Sequence, residues 1–136
     1  FQIGKGIKLV EGNDVTIIAT GHLVWEALEA AKELSKIGIS TEVINIHTIK
    51  PLDEDIVLKS ANKTKCVVSC EEHNIIGGLG ESISRVLVNN FLCPMEFVGV
   101  NDKFGESGTP SELMEKYGLN SKNIIEKCKK VISRKS

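Results

Sequence analysis

Short apolar runs alternate along this chain with longer stretches that carry apolar residues at helical spacing, and this alternation constrains the fold most. The runs typical of strands are Glu42–Ile46, Cys66–Cys70, Met95–Val100 and, with every residue suited to burial, Val15–Ala19. Amphipathic helices are predicted over Leu23–Ile37, from Leu52–Val57 onward, over Leu79–Asn89 and from Ser121 onward. Strands joined by helices lie parallel and are covered on both faces. The sequence therefore predicts one three-layer α/β/α domain over residues 1–136, with a parallel or mostly parallel sheet.

Local signals add a strand and the helix boundaries. Ile7–Val10 alternates weakly and leads through the turn Glu11–Asp14 into the strand Val15–Ala19, which predicts an antiparallel hairpin. Helix starts are predicted at Asp53, Thr109 and Ser121, and helix ends at Gly38 and Gly118. The last helix should bury one stripe, formed by Ile124, Ile125, Cys128, Val131 and Ile132.

Composition excludes several classes of function. The 136 residues are 41% apolar and carry a net charge of −1, so the chain lacks the electrostatic footprint of a nucleic-acid or anionic-membrane binder. Only Arg85 and Arg134 carry guanidinium groups, which excludes an arginine cluster for phosphate. No apolar run approaches the roughly 18–20 residues of a membrane span. The chain begins at Phe1 without a signal-peptide pattern, which indicates a fragment or processed chain of a cytoplasmic protein.

The cysteines indicate buried, reduced thiols. Cys66 and Cys70 lie four apart in one strand and therefore share a face, and with Cys93 and Cys128 they form no C-x-x-C pair. The histidines do not cluster with them at zinc spacing, so no metal site is predicted.

Four polar loops follow strand ends, where ligands bind in parallel sheets: Thr20–His22, His47–Pro51, Glu71–Gly78 and Asn101–Gly108. In the third loop, Glu71, Glu72 and His73 resemble an acid–base constellation, and a solvated surface cluster is the alternative. Gly77, Gly78 and Gly80 precede a helix and could present backbone N–H groups to an anion. The alternative is that these glycines permit close packing of helix on strand.

The order of the motifs resembles a known family. The motifs are Asp14–Gly21, Ala27–Ala31, Thr48–Asp53, Glu71–Asn74 with Gly77–Glu81, and Ser107–Leu113 with Tyr117–Leu119. Together they look like the C-terminal domain of transketolase-type, thiamine-diphosphate-dependent enzymes, from Phe1 to Ile132.

The resemblance implies a five-stranded mixed sheet with one antiparallel edge strand. It implies that the full enzyme transfers two-carbon ketol units between sugar phosphates in the pentose phosphate pathway, as a cytoplasmic homodimer. In the family, Mg²⁺ and the diphosphate are held by an N-terminal domain with a Gly-Asp-Gly motif, and a middle domain activates the cofactor. This chain contains no Gly-Asp-Gly. We therefore expect it to bind no thiamine diphosphate and to support dimer contacts or regulation, with His73 and Glu72 facing the N-terminal and middle domains or a partner chain.

Two alternatives stay open within the family and one outside it. Deoxyxylulose-phosphate synthase and the β subunits of 2-oxo acid dehydrogenases share the stretch Ile49–Asp53, whereas His73-Asn74 and Ser107–Pro110 favour transketolase. The alternative from another class is a stand-alone regulatory module that binds a small anion at Gly77–Gly80.

Overall fold

Helices and strands alternate as the sequence predicts in a computed structural model that describes residues 5–47, 52–74, 78–90, 92–100 and 118–135. The strands are β1 (Ile7–Val10), β2 (Val15–Ala19), β3 (Thr41–Asn45), β4 (Val67–Asn74) and β5 (Met95–Val100). The helices of this part are α1 (Leu23–Ser35), α2 (Glu54–Thr64), α3 (Leu79–Asn90) and α4 (Ser121–Ser133). The predictions on 101–117, including the Thr109 helix start, lie outside the described residues.

The five strands form one mixed sheet in the order β1-β3-β2-β4-β5. β2 pairs in parallel with β3 and β4, and β4 pairs in parallel with β5. β1 is antiparallel to β3 and forms one edge. The predicted α/β/α architecture with one antiparallel edge strand is confirmed.

The predicted hairpin between the first two strands is wrong, because β1 pairs with β3 and not with β2. All five residues of β2 are buried, and parallel strands occupy both of its sides, whereas three of the four residues of β1 are exposed, as suits an edge. The connection between them crosses the start of β3 at Gly12. A Cβ on this glycine would lie 2.2 Å from the carbonyl carbon of Thr41, so the crossing requires glycine.

Each face of the sheet has its own apolar core. α1 and α4 cover one face, with Leu23, Ala27, Leu34, Ile124, Cys128 and Val131 against Ile17, Val43, Val68 and Cys70. α2 and α3 cover the other, with Val57, Ala61, Leu79, Ile83 and Leu87 against Ile18, Ile44 and Val67. We call these the α1 face and the α3 face. The predicted buried stripe of the last helix is confirmed for Ile124, Cys128 and Val131, and Ile125 and Ile132 are half-buried.

Most helix boundaries agree with the sequence. The Asp53 side chain accepts a hydrogen bond from the N–H of Ile56 at 3.3 Å, and Gly38 follows α1 with φ +84°. The predicted cap at Ser121 is wrong by one residue, since Asn120 is the N-cap and its Oδ1 accepts from the N–H of Asn123 at 2.9 Å. Both residue types cap helices, and the backbone conformation decides between them.

A polar network lies at the amino ends of the strands, beneath α2. The Glu42 carboxylate is buried and accepts hydrogen bonds from the N–H of Gly12 (3.2 Å), from Ser60 Oγ (2.6 Å) and from Lys63 Nζ. Thr16 Oγ1 lies 2.7 Å from Ser60 Oγ and continues the network into the sheet. Two of these partners, Gly12 and Ser60, are buried, whereas Lys63 is 32% exposed and the exposed Lys8 lies 4.0 Å from the carboxylate.

The thiols are free, and Cys66, Cys70 and Cys128 are buried while Cys93 is half-buried. Cys66 and Cys70 lie in the core of the same face, as predicted. Burial raises the pKa of the Cys66 thiol to about 11 and that of Cys128 to about 12. Of the helices described, none combines the length and apolar character needed to cross a membrane.

Candidate functional site

The three central strands end side by side. Ala19 of β2 is in register with Asn45 of β3 and with Cys70 of β4, so the residues that follow them share one edge of the sheet. This edge holds Thr20–His22 after β2 and Glu71–Asn74 in the last half of β4. We call it the carboxyl-end face. In an α/β sheet this is the edge at which function is usually located.

Gly6 and Ile7 also lie at this edge. β1 runs antiparallel to β3, with Ile7 opposite Asn45, and the N–H of Gly6 donates to Asp53 Oδ2 at 2.9 Å. Asp53 thus joins the start of α2 to the first described residues of the chain.

The predicted loop Glu71–Gly78 begins as strand, because β4 continues through Asn74. Cys70 pairs with Val98 and Asn74 with Val100, so β4 is locally irregular between them. The backbone of His73 lies in this irregular segment and follows Glu71 and Glu72 in sequence. Irregularities of this kind occur often near functional sites, where they redirect side chains.

The Glu71 carboxylate is 1% exposed and caps the N-terminus of α3. Its Oε1 accepts from the N–H of Leu79 at 2.8 Å, and its Oε2 accepts from the N–H of Gly80 at 2.7 Å. The first N–H groups of a helix lack intrahelical partners and carry partial positive charge, so an anion is favourable there. The protein supplies that anion from its own sheet.

Glycine is required at position 80 for close packing. A Cβ there would lie 2.5 Å from Phe97 Cδ2 and 2.8 Å from Ser69 Oγ. This contact supports the packing alternative for Gly80, whose N–H is bonded to Glu71. Gly77 lies outside the described residues, and anion binding by Gly77 and Gly78 stays a prediction.

The Glu72 carboxylate forms a hydrogen bond with the backbone at the start of α1. Its Oε1 lies 2.6 Å from the backbone nitrogen of His22, which donates the hydrogen bond. His22 occupies the N-cap position, and its own side chain makes no capping hydrogen bond. Gly21 precedes it with φ +64°, a conformation that favours glycine.

Glu71 and Glu72 therefore serve two helices on opposite faces of the sheet. Successive residues of a strand point to opposite faces of the sheet. Val67 belongs to the core of the α3 face, and Val68 belongs to the core of the α1 face. By this alternation Glu71 lies on the α3 face, like Val67, and Glu72 lies on the α1 face, like Val68. The sequence grouped the two carboxylates as one constellation, whereas the structure gives each a different partner.

Among the described residues, the carboxyl-end face carries a large exposed aromatic side chain that the sequence analysis missed. Trp25, in the first turn of α1, is 72% exposed, and His22 beside it is exposed. Trp25 lies outside the apolar series Val24, Ala27, Leu28, Ala31 and Leu34, and this offset was the signal that could have identified it. Exposed tryptophan is uncommon and is enriched at protein interfaces.

The described residues offer no cluster that fits the metal-bound diphosphate site of a thiamine enzyme. Among the described residues, no group of three or more His, Cys, Asp or Glu side chains could hold a metal ion. Of the two arginines, Arg134 pairs with Glu96 and Arg85 with Glu81, away from the carboxyl-end face.

The fold and this edge define the class: a mixed-sheet α/β/α domain whose strand-end carboxylates stabilise its own helices. The family model for "Transketolase, C-terminal domain" matches residues 4–124. The chain belongs to this family.

Two curated relatives and one solved structure illustrate its range. A 6-deoxy-6-sulfo-D-fructose transketolase subunit of Clostridium sp. (strain MSTE9) is 49% identical over all of this chain and 42% of the relative. A 1-deoxy-D-xylulose-5-phosphate synthase of Caldanaerobacter subterraneus subsp. tengcongensis (strain DSM 15242 / JCM 11007 / NBRC 100824 / MB4) is 38% identical over 93% of this chain and 20% of the relative. A solved structure described as a split gene transketolase, inactive beta4 tetramer, is 44% identical with a TM-score of 0.95, over 100% of this chain and 45% of that chain. The chain thus spans less than half the length of these relatives.

Proposed function

We propose that this chain is the C-terminal domain of a transketolase-type enzyme that transfers two-carbon ketol units between sugar phosphates. The observation that carries the proposal is the match to a split gene transketolase over the whole chain, at 44% identity and a TM-score of 0.95. Thiamine diphosphate and Mg²⁺ would be bound by the N-terminal and middle domains, on the same polypeptide or on a partner chain. The cofactor supplies the electron sink of the reaction when it is bound there.

Within that enzyme we assign this domain to assembly. The exposed Trp25 and His22 lie on the carboxyl-end face. An exposed aromatic anchor at this edge is suited to packing against another domain or chain of the enzyme. His73 and Glu72 belong to this contact region, and the enzyme would act as a cytoplasmic homodimer.

The substrate is to be decided by assay of the intact protein with thiamine diphosphate and Mg²⁺. We expect turnover of xylulose 5-phosphate with an aldose phosphate acceptor. Formation of 1-deoxy-D-xylulose 5-phosphate instead would assign the chain to the synthase, and turnover of 6-deoxy-6-sulfo-D-fructose alone would assign it to the sulfosugar branch. If none of these reactions occurs in a folded protein that contains both cofactors, the proposal is wrong.

A further inference from the structure

We infer that a cavity beside α2 binds phosphate, either as the free ion or as the phosphate group of a small molecule. The cavity has a volume of about 420 Å³ and lies between β1, the amino end of β3 and helix α2. We call it the α2 cavity. Its volume is in the range of small-molecule pockets. It lies away from the carboxyl-end face, so the inference goes beyond the proposed function and does not depend on it.

Three lysines from two elements line the α2 cavity. Lys8 belongs to β1, and Lys59 and Lys63 belong to successive turns of α2. Residues four apart on a helix lie on the same face. A lysine ammonium is a compact positive charge with three donors, and it is a common ligand of phosphate oxygens. Segments about 50 residues apart in sequence thus bring positive charge to one cavity.

The buried carboxylate in this cavity is already neutralised. Glu42 is 2% exposed, and it accepts hydrogen bonds from the N–H of Gly12, from Ser60 Oγ and from Lys63 Nζ. Glu42 therefore fixes Lys63 in place and repels an incoming anion only weakly. Lys59 is exposed, and it forms no ion pair with the residues that the structure describes.

An exposed carboxylate occupies the position between two of the ammonium groups. Glu11 Oε1 accepts hydrogen bonds from Lys8 Nζ at 3.1 Å and from Lys63 Nζ at 3.2 Å, and its side chain is 72% exposed. These bonds hold the pKa of Glu11 below its usual 4.5, so the group is an anion at neutral pH. Because exposed ion pairs are weak, an external anion can displace this carboxylate into solvent.

The charge balance favours phosphate as the ligand. Once Glu11 has turned away, three ammonium groups and the Glu42 carboxylate leave two positive charges. A phosphate monoester carries a charge of about −1.5 to −2 at pH 7 and matches them, whereas a single carboxylate leaves one positive charge unmatched. Ile56 adds an apolar wall for the carbon atoms of an ester. A bound phosphate would connect β1 to α2.

The test uses the intact protein without thiamine diphosphate or Mg²⁺. Isothermal titration calorimetry measures the affinity for inorganic phosphate and for glycerol 3-phosphate, and hydrogen–deuterium exchange of residues 5–10 and 54–64 locates the bound ion. Potassium chloride at equal ionic strength is the control for screening. The variants are Lys59→Met and Glu11→Gln, both at exposed positions. Lys36→Met, at an exposed lysine that pairs with Glu33 on α1, is the matched control for loss of one charge.

We expect saturable binding of both probes at millimolar concentration, with slower exchange in both segments. Tighter binding of glycerol 3-phosphate would assign the site to a phosphorylated molecule, and equal or weaker binding would assign it to free phosphate. Lys59→Met should weaken binding about fivefold, and Glu11→Gln should strengthen it about threefold, because a competing anion is removed. Lys36→Met should bind like wild type.

Three results would overturn the inference. Wild type does not bind either probe at millimolar concentration, or chloride slows exchange in the two segments as much as phosphate does. In the third, phosphate binds but Lys59→Met and Glu11→Gln leave its affinity unchanged, which would place the ion elsewhere in the enzyme. None of these measurements involves turnover, so the proposed function stands or fails separately.

Discussion

Replacing Glu42 by alanine tests whether the buried polar network beneath α2 stabilises the domain. Glu42 is 2% exposed, and its carboxylate accepts hydrogen bonds from Gly12, Ser60 and Lys63. The wild-type chain, taken alone and without cofactor, should unfold in one cooperative transition, because its capped helices cover both faces of the sheet.

The expected cost follows from the partners that the substitution leaves behind. The N–H of Gly12 is buried and loses its recorded acceptor, at a cost of about 1–3 kcal/mol. Ser60 Oγ keeps Thr16 as a partner, and Lys63 is 32% exposed and keeps Glu11, so these two groups lose less. With the packing lost beside them, we expect about 3 kcal/mol in total and a melting temperature lower by about 10 °C.

The pH dependence provides an independent check. Burial acts to raise the pKa of Glu42, but hydrogen bonds from Lys63, Ser60 and Gly12 outweigh it and hold the pKa below its usual 4.5. A carboxylate with a lowered folded-state pKa contributes stability above its unfolded pKa, and this contribution is lost as the pH falls through the folded pKa. The advantage of wild type over Glu42→Gln should therefore be full at about pH 6–7 and disappear in acid.

Differential scanning calorimetry and circular dichroism between about pH 3 and 7 measure these effects. The matched control is Glu33→Gln, which removes an exposed ion pair with Lys36 and should leave the midpoint unchanged. If Glu42→Ala melts within 2 °C of wild type, or if the difference between wild type and Glu42→Gln does not change with pH, the network has no net stabilising role.

Three further predictions concern the cofactor, the strand-end histidine and the chain crossing. The chain alone should bind no thiamine diphosphate in the presence of Mg²⁺, and saturable micromolar binding by calorimetry would place the cofactor site here after all. In the intact enzyme, His73→Ala should lower turnover at saturating cofactor by less than tenfold and weaken the dimer, whereas a hundredfold loss in an unchanged dimer would indicate proton transfer. Gly12→Ala should destabilise the chain more than Gly38→Ala in thermal melts, because its Cβ would meet the β3 backbone at 2.2 Å, whereas at position 38 no atom lies within 4 Å and only the backbone strain of φ +84° opposes a side chain. Equal effects would refute the close crossing.

The kinds of element and their faces could be predicted from sequence because both depend on local periodicity. β5 has the predicted bounds, α3 ends one residue later than predicted, and Leu79, Ile83 and Leu87 are buried as their spacing requires. The cap at Asp53 depends on a residue three positions away and was likewise predictable. The motif order was sufficient to identify the family.

The sequence-based predictions were wrong where two neighbouring residues could both cap a helix, or where the pairing partner was distant in sequence. Asn120 and Ser121 are both good caps, and the conformation of the preceding turn selects the first. Strand β4 runs four residues past its apolar stretch because pairing with β5 resumes at Asn74. Periodicity cannot show a strand that continues through charged residues.

The sequence alone determined the alternation of helices and strands, the two-sided burial of β2 and the polar character of the strand ends, since each follows from neighbouring residues. The tertiary structure decided that β1 pairs with β3, and that Glu72 bonds to a backbone N–H 50 residues away while Glu71 bonds to groups eight and nine residues away. Whether a carboxylate is an acid, an ion-pair partner or a helix cap depends on the group that folding places beside it. That group is chosen by the order of the strands and by the alternation of faces along β4, neither of which a local pattern contains.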